Sequence, residues 1–89
     1  MRFEWDRHKA QQNLKKHGVS FGEASTVFFD PLAATFDDPD HSADEPRLIT
    51  IGYSSRGRLL LVVHTDRRDR LRIVSARKAT ANERKRHET

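Results

Sequence analysis

Residues 58–77 read RLLLVVHTDRRDRLRIVSAR. The run from Leu59 to Val63 is apolar at every position, which fits a strand covered on both faces and therefore central. Arg58 to Thr65 is read as that strand. Asp66-Arg67-Arg68-Asp69 is read as a turn, and Arg70 to Arg77 as the next strand. Upstream, Arg47 to Tyr53 is a third strand, joined to the central one through Ser54-Ser55-Arg56-Gly57, a hairpin turn with glycine at its last position. Leu32 to Asp37 also has strand character.

Helical signals lie outside this block. Phe3 and Trp5 alternate with charged neighbours and suggest a short strand. Asp6 then caps a helix running to about His17. Ala10 and Leu14, four apart, are placed toward the core, and Lys9, Asn13 and His17 on an adjoining polar stripe. The stretch LKKHGVSF (14–21) ends one helix and begins another. Lys15, Lys16 and His17 suit the negative end of the helix dipole. Gly18 fits a left-handed cap, with Leu14 and Val19 making the apolar contact of a Schellman end. Ser20-Phe21-Gly22-Glu23 matches a capping box, and Val19 with Ala24 its hydrophobic staple. This second helix should run to about Phe28, burying Phe21, Ala24, Val27 and Phe28, until Asp30-Pro31 stops it. Thr80-Ala81-Asn82-Glu83 is a further capping box opening a short terminal helix. The elements make an α+β chain, read as one domain over residues 1–89.

If both turns hold four residues, the pairing follows by counting. Arg58 then lies opposite both Tyr53 and Arg77, and His64 opposite both Arg47 and Leu71. Ile49, Ile51, Leu60, Val62 and Ile73 share one face. Arg72 and Arg77 fall on opposite faces of their strand. Like charges directly opposite are unfavourable, so Arg58 beside Arg77 calls for Glu83 or a phosphate between them.

Lys and Arg number 17 against 13 Asp and Glu, giving a net charge of +4, and apolar residues make up 35%. The positive balance favours an anionic partner, nucleic acid first. The low apolar share implies a thin core, with room for a partner protein to cover part of it. The absence of cysteine excludes disulfides and thiolate metal sites. The start is charged and lacks an apolar signal region, and no run approaches a membrane span. The expected location is cytoplasmic, with no membrane partner. The acidic stretch DDPDHSADE (37–45) matches no EF-hand spacing and is read as a solvated loop. No metal and no cofactor is expected.

Cleaving RNA through its 2′-hydroxyl needs a group to take a proton, a group to give one, and cations beside the phosphorus. Histidine suits the first two tasks and arginine the third. Of five histidines, His17 is favoured for its doubly capped corner. Arg77, at a strand end beside a helix, is the favoured arginine. Arg70 and Arg72 read as a solvated or partner-facing edge.

The segments FEWDRHKAQQNLKKHGVSFGEASTVFFDP, EPRLITIGYSSRGRLLLVVH and RIVSARKATANERKRHE together resemble the BrnT family of bacterial toxins. The resemblance spans Phe3 to Glu88. It implies a RelE-like fold in which N-terminal helices pack on a small, mainly antiparallel sheet with a short C-terminal helix. It implies metal-independent endoribonuclease activity on mRNA that halts translation. It also implies a BrnA-like antitoxin with a ribbon-helix-helix part, a heterotetramer of two toxins and two antitoxins, and operator DNA bound only through the antitoxin. Related toxins often carry tyrosine in a pattern like E-R-x-x-Y-E, where this chain has His87. The resulting candidates are His17, Arg58, Arg77, Glu83 and His87 for catalysis, and Lys9, Lys16 and Arg47 for RNA binding. The competing readings are a non-catalytic nucleic-acid-binding module and a pure protein-interaction module.

Overall fold

The computed structural model describes residues 1–39 and 46–89. In chain order these form β1 (Arg2–Glu4), α1 (Arg7–His17), α2 (Phe21–Thr26), a 3₁₀ turn (Val27–Phe29), β2 (Ala34–Asp37), β3 (Leu48–Tyr53), β4 (Leu59–Arg67), β5 (Arg70–Lys78) and α3 (Ala81–Glu88). The strands make one sheet in the order β1-β5-β4-β3-β2. All neighbours are antiparallel except β1, which runs parallel to β5. The α+β reading and the central place of β4 agree with this arrangement.

α1, α2 and the 3₁₀ turn cover one face. Val19, Phe21, Ala24 and Val27 from the helical layer pack on Leu60, Val62, Leu71, Ile73 and Ala76, with Phe3, Ala10 and Phe28 at the margin. Fully burying a side chain of this size stabilises by about 1.5–3 kcal/mol; Ile51, Leu59 and Leu61 are buried as well, outside this cluster.

The corner at Gly18 forms, with differences in detail. Asp6 accepts from Lys9 N at 3.3 Å and starts α1. Gly18, at φ +70°, ends it through one bond from its N–H to Leu14 O. That single bond is the simpler αL end, not a Schellman pair. Leu14 is 52% exposed, whereas Asn13 is buried, the reverse of the periodicity reading. The reason is that Asn13 fills its hydrogen-bonding capacity inside: its Nδ2 donates to Val19 O and Ala76 O, and its Oδ1 accepts from Ala76 N. Ser20 accepts from Glu23 N, but Glu23 turns its carboxylate elsewhere, so only half of that capping box forms. The box at Thr80 and Glu83 is complete.

The strand register is shifted from the four-residue-turn count. Gly57, at φ +77°, donates to Ser54 O, and Ser54 N donates to Arg58 O. This shorter loop pairs Tyr53 with Leu59. A slip of one residue moves every side chain of a strand to the other face. Ile49 and Ile51 therefore lie opposite Val63 and Leu61, on the face away from Leu60, Val62 and Ile73. The second turn is shorter still: Arg67 pairs with Arg70, and Arg68 takes φ +47°.

A bulge follows. Val63 pairs with Ser75 and His64 with Ile73, leaving Val74 as the extra residue. Ile73 and Ala76 both point into the core, so Arg72 and Arg77 share the open face instead of opposing one another. Arg77 pairs with Leu61, not Arg58, and His64 pairs with Leu48 and Ile73.

Candidate active site

The open face carries a trough of about 570 Å³. Its apolar floor and rim come from Leu32, Ala34, Phe36, Ile49, Ile51 and Leu61, with Asp38 and Pro39 at one end. Arg77, Glu83, Arg86 and His87 form a polar wall where α3 meets β5. Alternation explains the mix: β3 and β4 present branched side chains on both faces, and α1 and α2 cover only one of them, leaving α3 at the edge of the other.

The wall is built by the Thr80 cap. Its geometry places Glu83 in the first turn of α3, where Thr80 N donates to Oε1 at 2.8 Å. The same carboxylate receives both arms of Arg77, Nη1 to Oε1 and Nη2 to Oε2, each at 2.8 Å. Arg77 Nη1 also reaches Lys78 O at 3.2 Å. These bonds, the one from Arg77 foremost, hold the Glu83 carboxyl at about 2. Glu83 in turn raises the Arg77 pKa. The pair is therefore ionised across the neutral range, with the fork of Arg77 fixed in plane.

His87 packs on Tyr53, which is itself tied by two hydrogen bonds. Its ring lies 6.0 Å from that of Tyr53. The Tyr53 hydroxyl donates to Glu88 Oε2 at 2.5 Å, and this bond raises the tyrosine pKa. Tyr53 N donates to Asp30 Oδ2 at 2.8 Å, so the β3 end is tied to the loop after the 3₁₀ turn. That bond, with a second from Leu32 N, lowers the Asp30 pKa. Arg86, exposed on the same wall, has no carboxylate partner among the described residues.

Arg58 and His17 belong to a different cluster, across the sheet. Arg58 donates from Nε and Nη2 to the two oxygens of Glu23 and from Nη2 to Gly18 O. Glu23 also accepts from Ser54 Oγ at 2.7 Å and has Arg56 Nη1 at 3.7 Å. Its side chain is only 5% exposed. The bond from Arg58 is the main reason its pKa is lowered. This network clamps the corner after α1 to the β3–β4 hairpin. His17 is half-buried on that corner.

Of the proposed catalytic residues, the structure thus brings Arg77, Glu83 and His87 together and places Arg58 and His17 elsewhere. Glu83 pairs with Arg77 and does not bridge it to Arg58. Lys9 and Lys16 are exposed on α1, on the helical side. Arg47 is exposed just before β3, at the end away from Tyr53. His41 and the acidic residues from 40 to 45 lie outside the described residues. Among the described residues no group of acids and histidines is arranged to hold a metal, and no helix is long and apolar enough to cross a membrane.

His64 is buried and structural. Its Nδ1 meets Asp66 Oδ1 at 2.8 Å, its Nε2 meets Thr50 Oγ1 at 2.7 Å, and Phe28 packs edge-on at 4.9 Å. Burial lowers its pKa more than Asp66 raises it.

Arg86 of the trough and Tyr53, which packs on His87, gave no individual signal in the sequence. Arg86 was part of a basic run, and Tyr53 was only a strand end. Their roles depend on α3 returning to the end of β3.

A family model described as "Ribonuclease toxin, BrnT, of type II toxin-antitoxin system" matches residues 5–83. The fold is similar to a solved structure, the 1.1 Å crystal structure of the Brucella abortus ribonuclease toxin, BrnT. Identity is 28%, the match covers 90% of this chain and 97% of that one, and the TM-score is 0.69. No curated protein matches.

Proposed function

This chain belongs to the BrnT family of ribonuclease toxins of type II toxin–antitoxin systems, and on that premise we propose that it cleaves mRNA at the α3 wall of the trough. The observation that carries this reading is the convergence of Arg77, Glu83, Arg86 and His87 on one wall. Arg77 and Arg86 hold the scissile phosphate and offset the charge that builds on it. Glu83 orients Arg77. A carboxyl held at about 2 is too weak a base to serve near neutrality. His87 moves the proton, between the 2′-hydroxyl, the leaving 5′-oxygen and solvent. Attack by the 2′-oxygen forms the new P–O bond as the 5′-oxygen leaves.

Arg58 acts as a positioning residue for the corner. Lys9, Lys16 and Arg47 draw RNA toward the molecule at long range. His17 sits outside the trough, and His17→Ala should leave cleavage unchanged.

A type II toxin has an antitoxin partner. The finer reading is a BrnA-like antitoxin with a ribbon-helix-helix part, two copies of each chain, operator DNA bound through the antitoxin alone, and a cytoplasmic setting. Support comes from the exposed apolar rim of the trough, where Leu32 is 74% and Phe36 48% exposed, a patch suited to cover by a partner.

The test is induction of the chain without its antitoxin. The unaltered chain should arrest growth and degrade mRNA. Arg77→Ala should do neither while retaining its circular dichroism spectrum. His87→Ala should slow cleavage by about 10²–10⁴. Full toxicity from the folded Arg77→Ala chain overturns the assignment.

A further inference from the structure

The open face extends beyond the α3 wall. The Val74 bulge brings Arg72 onto the same face as Arg77, and Arg70 lies two residues before it. Arg70 and Arg72 share a single carboxylate: Glu4 lies 3.2 Å from Arg70 and 3.3 Å from Arg72. Arg67 Nη1 also stands 3.8 Å from Glu4, so among the described residues this acid faces more than one guanidinium at this end of β5. Directly across from Arg72 is Thr65. Thr65 is 3% exposed, and its Oγ1 has no hydrogen-bond partner. That oxygen is enclosed, so the phosphate contacts at this rank fall to the two guanidiniums.

A second row runs beside the arginines. Ile49 and Ile51 of β3 and Phe36 of β2 face the same side. β3 lies two strand spacings from β5, about 10 Å. The face therefore holds a cationic track along β5 and an apolar track along β3 and β2. A single-stranded nucleic acid has this same division, with phosphates along one edge and base faces along the other. An acidic peptide matches the cations but does not separate the two tracks so cleanly.

We propose that the open sheet face is a single-stranded RNA track, with a second phosphate site at Arg72 and Arg70, and bases against Phe36, Ile49 and Ile51. The inference rests on the ribonuclease reading and on Arg77 as the first phosphate site. Arg77 pairs with Leu61 and Arg72 with Thr65. The ranks are four β4 residues apart, about 13 Å at strand rise, which an extended RNA chain crosses in about two nucleotides.

The test is binding, so that it stands apart from catalysis. The probe is a 2′-O-methylated oligoribonucleotide, which cannot be cleaved by its own 2′-oxygen, titrated at several salt concentrations. A 2′-O-methylated dinucleotide with one phosphate is the comparison. Arg72→Ala should weaken oligomer binding about tenfold and reduce the salt slope by about 0.7. Arg72→Lys should keep the slope. Phe36→Ala should weaken binding about tenfold with the slope unchanged. The dinucleotide should respond to Arg72→Ala by less than about twofold.

Unchanged oligomer affinity and slope in Arg72→Ala overturn the track. Equal losses for oligomer and dinucleotide also overturn it, since Arg72 would then act through the fold or the first site. Loss of antitoxin capture with RNA binding intact overturns it in favour of an acidic protein partner. The underlying reading fails separately, through persistent cleavage by Arg77→Ala, and that result leaves the binding measurements standing.

Discussion

Asn13 makes three hydrogen bonds from a buried amide, to Val19 O, Ala76 O and Ala76 N. They join α1, the Gly18 corner and β5 at one point. Asn13→Leu would leave all three backbone groups unpartnered in an apolar setting. At about 1–3 kcal/mol for an unsatisfied buried group, we expect a loss of at least about 3 kcal/mol, read as a lower urea midpoint. An unchanged midpoint would show that the amide is not needed. Helical periodicity put Asn13 on a polar stripe because one of its partners is 63 residues away. Spacing within a helix carries no record of such a bond. Arg77 was singled out by its place at a strand end beside a helix, and His87 only through the resemblance to the toxin family.

At the scale of elements, Glu23 shows one sequence signal serving two structures. Its position marked a helix start, which forms, yet its carboxylate locks α2 to the β3–β4 hairpin through Arg58 and Ser54. Breaking a buried pair from one side costs about 3–5 kcal/mol. Arg58 is 27% exposed, so for Glu23→Gln we expect the lower part of that range, about 3 kcal/mol, measured by thermal unfolding. A change under about 1 kcal/mol would reduce the cluster to a surface pair. Gly52 is a second constraint. A Cβ there would stand 2.9 Å from Ala33 Cβ and 3.0 Å from Val27 Cγ1. Gly52→Ala should lower stability by about 1–3 kcal/mol; a neutral result would mean that the 3₁₀ turn yields. Element identities and most boundaries were legible from caps, turns and apolar runs. The register was not, because a glycine-closed loop and a bulge each add or remove one residue without a distinctive composition.

For the whole molecule, the governing feature is a sheet with α1 and α2 on one side and only α3 at the edge of the other. It explains how a chain with 35% apolar residues still folds: one helical layer supplies the core. The α+β class was legible, but which side would carry the site was not, because that depends on the register. The Arg77–Glu83 pair also sets an acid limit. The Glu83 carboxyl lies at about 2 in the folded chain against an ordinary 4.5. A depressed carboxyl contributes stability above its unfolded value and loses it as pH falls through the folded one. Thermal stability should therefore fall between about pH 4.5 and 2, and Glu83→Gln should flatten that decline. An equal decline in the variant would assign the acid limit to other groups, with Glu23, lowered in the same direction, the first to examine.

The Val74 bulge has a last consequence, for how the chain tolerates change in length. Losing one residue from a strand normally inverts everything beyond it. Here the surplus residue is already set aside, so removing Val74 would leave Ser75 opposite Val63 and Ala76 opposite Val62, with Arg77 facing as before. We expect the shortened chain to fold and keep its toxicity. A strand with a spare residue can be edited in length at that one place, and a lineage carrying this sheet can gain or lose the residue without rebuilding the surface its arginines occupy.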